Sequence, residues 1–174
     1  GKCGSSGDVL RAVRIARDYD MAPFVYLIYG LPGETPDTVK ASIDLMKKVT
    51  DAGAERIILY GFRALPGSAF AEFPEPHPSN ALNALLRKEA ARINRERKSK
   101  HVGTTVRGVV AEPSLTHHGY SMVYPLGEGP LMTVRGGYSP GTVLYVKIIR
   151  VLSSGLVEGK VTDEDQNAQF LGQS

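Results

Sequence analysis

The chain has 174 residues, 42% of them hydrophobic and 22% charged, too apolar for a disordered chain and long enough for one large or two small cores. Its net charge of +3 is a mild basic excess that would mean little if spread evenly. The longest apolar runs, Ala22 to Leu31 and Thr142 to Val146, fall far short of the ~20 residues of a membrane helix, and the polar Gly1 to Gly7 does not read as a signal peptide, so the expectation is a soluble, cytoplasmic protein.

In chain order, the first predicted element is a helix over Asp8 to Tyr19. Val9, Leu10, Val13 and Ala16 repeat at helical spacing, Asp8 or Ser6 is placed to cap it, and Pro23 ends it. Phe24 to Tyr29 is an unbroken β-prone run, the pattern of a strand buried on both faces of a parallel sheet. After the turn at Gly30 to Gly33, Thr35 and Pro36 open a second helix with a hydroxyl at the N-cap and proline at the first helical position. Val39, Ile43, Met46 and Val49 form its apolar stripe, and Gly53 ends it. Ile57 to Phe62 is a second buried strand, completing a right-handed βαβ unit.

Such an array implies strands upstream. It leaves an open sheet edge, to be covered by a missing N-terminal barrel half or a partner chain, and self-association through that edge is expected of the chain alone. Ala64 to Pro78 is a proline-rich loop, and Ser79 is placed to cap a long helix bearing Leu82, Leu85, Leu86, Ala90 and Ile93. That helix runs into a basic stretch: Arg87 to Arg107 also holds Lys88, Arg92, Arg95, Arg97, Lys98 and Lys100, against Glu89 and Glu96. Beyond His101 the pattern is β, with runs at Val102 to Ala111, Ser121 to Tyr124, Leu131 to Arg135, Thr142 to Leu152 and Leu156 to Val161 separated by glycine-bearing turns, as in a small closed barrel. The expected organisation is an α/β part over 1–78, a connecting basic helix over 79–100, a β-barrel over 101–162 and a flexible tail over 163–174.

Gly30-Leu31-Pro32-Gly33-Glu34-Thr35 sits where a parallel strand ends and a helix begins, the place in α/β folds where ligands bind. Gly30 and Gly33 would let backbone approach a ligand, and the amides of the helix start could meet its oxygens. A tight βα turn explains the same residues. The segment Phe24 to Ser42 closely resembles the late-barrel strand and helix of radical S-adenosylmethionine enzymes. The resemblance implies that Ile28, Tyr29, Gly30 and Leu31, with Gly33, lie beside the adenosyl part of that cofactor. Phe62 to Ala69 looks like the segment closing the barrel in the methylthiotransferase branch, with extra residues before Pro66-Gly67 and Ser68 where that pattern has threonine. There Arg63 would face an anionic substrate group or cofactor carboxylate; a surface salt bridge is the plain alternative.

The three-cysteine motif that holds a four-iron cluster in that family is missing, since Cys3 is the sole cysteine. S-adenosylmethionine and a [4Fe-4S] cluster are therefore implied for a full-length protein, and no catalysis is expected of this chain alone. Cys3 also cannot close an internal disulfide, which fits a reducing compartment.

Residues 101–161 resemble a TRAM domain, the small barrel appended to several RNA-modifying enzymes, through Val102-Gly103 and Val106, Gly136-Gly137, Pro140 to Ile148 and Gly155 to Val161. Small barrels bind RNA through phosphate contacts from Lys and Arg and stacking on aromatics and His. The candidates are Arg107, His117, His118, Tyr120, Arg135, Tyr138, Lys147, Arg150 and Lys160, with Arg95, Arg97 and Lys98 on the approach. Adjacent histidines in a strand point to opposite faces, so His117 and His118 do not read as a metal pair.

The expected fold class is α/β plus all-β, a partial parallel (β/α) barrel followed by a small five-stranded OB-like antiparallel barrel. The expected function is the C-terminal part of a radical S-adenosylmethionine enzyme that modifies RNA, with tRNA methylthiolation the specific guess. A non-catalytic RNA-binding module on an α/β scaffold and a protein-docking barrel are the alternatives.

Overall fold

A computed structural model describes residues 4–77, 80–115 and 117–162. The chain divides into two units, Gly1–Asn94 and Arg95–Ser174, with the division falling inside a helix. The first unit contains α1 (Ser6–Asp18), β1 (Phe24–Tyr29), α2 (Pro36–Asp51) and β2 (Arg56–Gly61), and α3 (Ala81–Ser99) begins in it.

Each helix start is fixed by a short polar side chain. For α1 the cap is Ser5, not Asp8 or Ser6 as expected: its hydroxyl accepts the Asp8 N–H, while the Asp8 carboxylate accepts the Ser5 N–H at 2.9 Å. The Ser5 N–H foremost, and then the Ser5 hydroxyl donating to the same carboxylate at 2.9 Å, hold the Asp8 carboxyl below its ordinary range. Thr35 caps α2 as expected, with Pro36 in the first turn. At its other end the Gly53 N–H bonds the Thr50 carbonyl and the Ala54 N–H the Val49 carbonyl, a Schellman closure. Before α3 the Asn80 side-chain oxygen accepts from the Leu82 and Asn83 amides; Ser79, expected in that role, lies outside the described residues.

β1 and β2 pair in parallel, from Phe24 opposite Arg56 to Tyr29 opposite Gly61. Alternation sends Val25, Leu27 and Tyr29 toward the helices, where they meet Val13, Val39, Met46, Val49, Ile57 and Ile93. Among the described residues nothing covers the other face. Phe24, Tyr26, Ile28 and Tyr60 stand exposed there, Tyr26 at 57%, with the Tyr26 and Tyr60 rings stacked 5.9 Å apart at 5°. Burial of β1 on both faces is thus overturned, because the helices cover one side of the strand pair and no described residue covers the other.

The edges differ as well. The Pro23 and Tyr29 carbonyls accept from the Glu55 and Phe62 amides, so the peptide groups of Phe24, Tyr26 and Ile28 point to the opposite edge of β1, where no strand pairs among the described residues. The outer edge of β2 is closed at Ile57 by a side chain of α3. Asn94 accepts the Ile57 N–H at 2.9 Å and donates to its carbonyl at 2.8 Å, as a neighbouring strand would. The expected open edge is thus closed at one residue on the β2 side and left without a pairing strand along β1 among the described residues.

The second unit contains β3 (Thr105–Pro113), β4 (Tyr120–Pro125), β5 (Met132–Arg135), β6 (Val143–Val151) and β7 (Val157–Thr162), closed in the order β3-β4-β5-β7-β6. Every pairing is antiparallel except β5 with β7, which is parallel. The barrel is mixed, which corrects the antiparallel expectation. Strands that alternate in direction along the chain cannot all be antiparallel once β7 inserts between β6 and β5. Val110, Val123, Met132, Val134, Val146, Ile148 and Val157 fill the interior. The expected flexible tail, 163–174, lies outside the described residues. No helix among the described residues is long and apolar enough to cross a membrane.

Candidate functional site

The residues that the sequence groups at the end of β1 separate in the structure. Ile28 lies on the open sheet face and Leu31 is exposed just beyond it. Tyr29 points the other way, against the helix-side core, with the Arg87 guanidinium 5.8 Å from its ring centroid. Gly30 was expected to admit a ligand, but Pro76 occupies the space a Cβ would take, so its small size serves packing of the following loop. The Gly30 amide is also engaged, donating to the Glu34 carboxylate at 3.1 Å. Gly33 faces open space with φ at 81°, so the turn needs glycine for its backbone angle. Arg63 lies 3.8 Å from Glu75 in an exposed ion pair, the surface salt bridge that was its plain alternative.

The barrel gathers more of its candidates. Strand register sets Tyr120 directly opposite Arg135, Arg150 opposite Glu158, and Lys147 opposite Lys160. These residues alternate with the buried interior positions and so lie along one outer strip over β4, β5, β7 and β6. Arg107 opposite Tyr145 extends the strip onto β3. Lys147 and Lys160 form a like-charge pair across the strands, which costs stability unless an anion is near.

Glu158 is the organising group, and the sequence gives no sign of it beyond an outward position in β7. Its carboxylate accepts from the Arg150 guanidinium at 2.6 Å and from the Tyr120 hydroxyl at 3.4 Å, tying three strands together. Tyr138 is fixed from behind. The buried Ser121 hydroxyl accepts the Tyr138 N–H at 3.1 Å and donates to the Gly136 carbonyl at 2.8 Å. The Tyr138 ring lies where a Cβ on Gly136 would fall, 2.6 Å from its nearest ring atom. Tyr120, Tyr138, Arg135, Glu158 and Lys160 line a cleft of about 460 Å³, and the His117 ring stands 5.8 Å from that of Tyr120. His118 is exposed in the turn before β4.

The approach residues do not form one surface. Arg95 is exposed and borders a separate shallow hollow with Val151 and Leu152. Arg97 is half-buried, and Lys98 is only 4% exposed, which removes it from any phosphate-contacting surface.

Fold and site together define a protein of two units, a helix-backed pair of parallel strands and a closed mixed barrel with a cationic, aromatic outer strip. No protein-family model matches the chain. It is 37% identical over 164 residues to an uncharacterized protein of Methanopyrus kandleri and 34% identical over 162 residues to an uncharacterized protein of Methanocaldococcus jannaschii. Each alignment covers 92% of this chain and 31% of the relative, so the chain spans about a third of the length of the curated relatives it matches.

Proposed function

We propose that the chain is the C-terminal portion of a radical S-adenosylmethionine enzyme that modifies RNA, similar to a tRNA methylthiotransferase. Its first unit finishes a parallel (β/α) barrel, and its small barrel, of TRAM type, binds the RNA. The observation that carries this reading is the uncovered apolar face of β1, Phe24, Tyr26 and Ile28, beside an unpaired strand edge. Parallel sheets occur with both faces covered. The greater length of the two relatives supplies chain for the missing strands.

The barrel supports the RNA-binding half of the reading. A closed five-stranded barrel of this kind suits an OB-like fold, whose second and third strands bind oligonucleotides. Those places are held by β4 and β5, which carry Tyr120 and Arg135.

The residues present do not fit the iron-sulfur cluster. Three thiolates are needed, the sequence holds Cys3 alone, and among the described residues no three His, Cys, Asp or Glu side chains gather to hold a metal ion. The reading therefore assigns the cluster to the remainder of the full-length protein. For S-adenosylmethionine the fit is partial. Ile28 and Leu31 offer exposed apolar surface to an adenosyl group, while the Gly30 amide is already bonded to Glu34.

The test of RNA binding is an electrophoretic-shift titration of the chain with bulk tRNA at rising salt. Four exposed cations on the strip, Arg107, Arg135, Lys147 and Lys160, would release counterions. A loss of affinity of about 50- to 150-fold between ~50 and ~200 mM salt is expected. Absence of a shift, or an affinity indifferent to salt, would contradict the reading.

A further inference from the structure

The cleft on the barrel has features that a plain basic surface does not need. Two tyrosines are placed before any ligand arrives: the Tyr120 hydroxyl bonds Glu158, the Tyr138 backbone is fixed by Ser121, and the Tyr138 ring packs beside Gly136 against the edge of the barrel core. Cations flank them rather than cover them: Arg135 lies beside Tyr120 in the strand register, and Lys160 lines the same cleft with Lys147 opposite it. Phosphate contacts alone require cations and give no role to the part of each ring that lines the cleft. Fixed rings beside cations match one stacked base together with its backbone phosphate.

We propose that this cleft is a single-nucleotide slot, which takes one unpaired base of an RNA strand against Tyr120 and Tyr138 and the adjoining phosphates on Arg135 and Lys160. The proposal rests on the RNA-binding reading of the barrel and adds that the strand must be single at this point. A base inside a duplex is stacked on its neighbours and cannot enter. Glu158 acts as a positioning residue, since its carboxylate holds the Tyr120 ring and neutralises Arg150, leaving Arg135, Lys147 and Lys160 to meet phosphate.

The experiment titrates the full chain with fluorescein-labelled oligoadenylate of about eight nucleotides, within the footprint of a small barrel, and with an RNA duplex of equal length, by anisotropy. Stacking predicts that Tyr120→Ala weakens the single strand by about 5- to 150-fold and leaves the duplex unchanged. Tyr120→Phe keeps the ring but loses its bond to Glu158, so its affinity should fall between those of wild type and Tyr120→Ala. Arg135→Gln alters only an exposed side chain and so tests the slot independently of folding. It should weaken the single strand and lower the salt slope by about one. Wild-type binding to both probes, with Tyr120→Ala and Arg135→Gln acting equally on both or on neither, would overturn the slot while leaving RNA binding intact. Wild-type binding to neither probe would overturn both.

Discussion

Replacing Asn94 by leucine tests the edge closure of β2 with little change of volume. The buried side chain makes two hydrogen bonds to the Ile57 backbone, at 2.9 and 2.8 Å. Leucine offers neither donor nor acceptor, so an N–H and a carbonyl are left unpaired where water does not reach. Each such group costs about 1–3 kcal/mol, and the added apolar burial returns about 1 kcal/mol. A net loss of about 1–5 kcal/mol follows, a large share of the ~5–15 kcal/mol that holds a domain together. It corresponds to a fall of roughly 4–40 °C in the melting temperature of a unit of this size. Urea unfolding followed by circular dichroism gives the free energy, and hydrogen exchange at the Ile57 amide gives the local effect. Asn94→Asp is a useful companion, because its carboxylate would face the Ile57 carbonyl at neutral pH, whereas the protonated acid restores one donor and one acceptor. Its deficit should shrink as the solution is acidified. A leucine variant within about 1 kcal/mol of wild type, with the Ile57 amide still protected, would refute the edge-closure reasoning.

Gly136→Ala should cost about 1–3 kcal/mol from overpacking, since its methyl group would meet the Tyr138 ring at a φ of 129°; thermal unfolding and loss of oligoadenylate affinity would report it together. Hydrogen bonds from Arg92, helped by Lys47 at 4.0 Å, hold the Glu89 carboxyl below its usual 4.5 against the opposing effect of partial burial. Because the folded value is the lower one, this stability is present in full above the usual carboxylate range and is lost as pH falls through the folded value. With Arg92 partly solvated it amounts to less than about 1 kcal/mol, and the stability gap between wild type and Glu89→Gln should close in acid. Tyr26→Lys with Tyr60→Lys should suppress self-association of the chain through its open face, read by light scattering. Equal association of wild type and variant would place the contact elsewhere.

The strand Phe24 to Tyr29 was legible in the sequence to the residue, because a six-residue run rich in β-branched and aromatic side chains between Pro23 and Gly30 has the length and flanks of a strand rather than a helix. What covers that strand was not, since the run reads the same whether a neighbouring face is present or absent. Asn94 was hidden for a different reason: its partner lies 37 residues away, and an asparagine within a helix carries no mark of tertiary pairing. Lys98 could have been placed. Leu86, Ala90, Asn94 and Lys98 follow one another at four-residue steps, so the buried stripe of α3 continues into the basic run, and residue type was given weight that spacing should have had. In the barrel, residue type alone nominated Tyr120, Arg135, Lys147 and Lys160. Their meeting depends on β7 lying between β5 and β6, a ring order that strand patterns do not encode. At Gly30 the glycine was legible and its reason was not, because Pro76 fills its space from a distant loop.

The most direct test of the central claim is hydrogen exchange on β1, compared between this chain and the full-length Methanopyrus kandleri relative. The amides of Phe24, Tyr26 and Ile28 point to the unpaired edge and should exchange rapidly in the chain alone. In the full-length protein an additional parallel strand should protect the corresponding amides by orders of magnitude. Exchange that is equally fast in both would mean that no strand joins β1, and the barrel reading would fall.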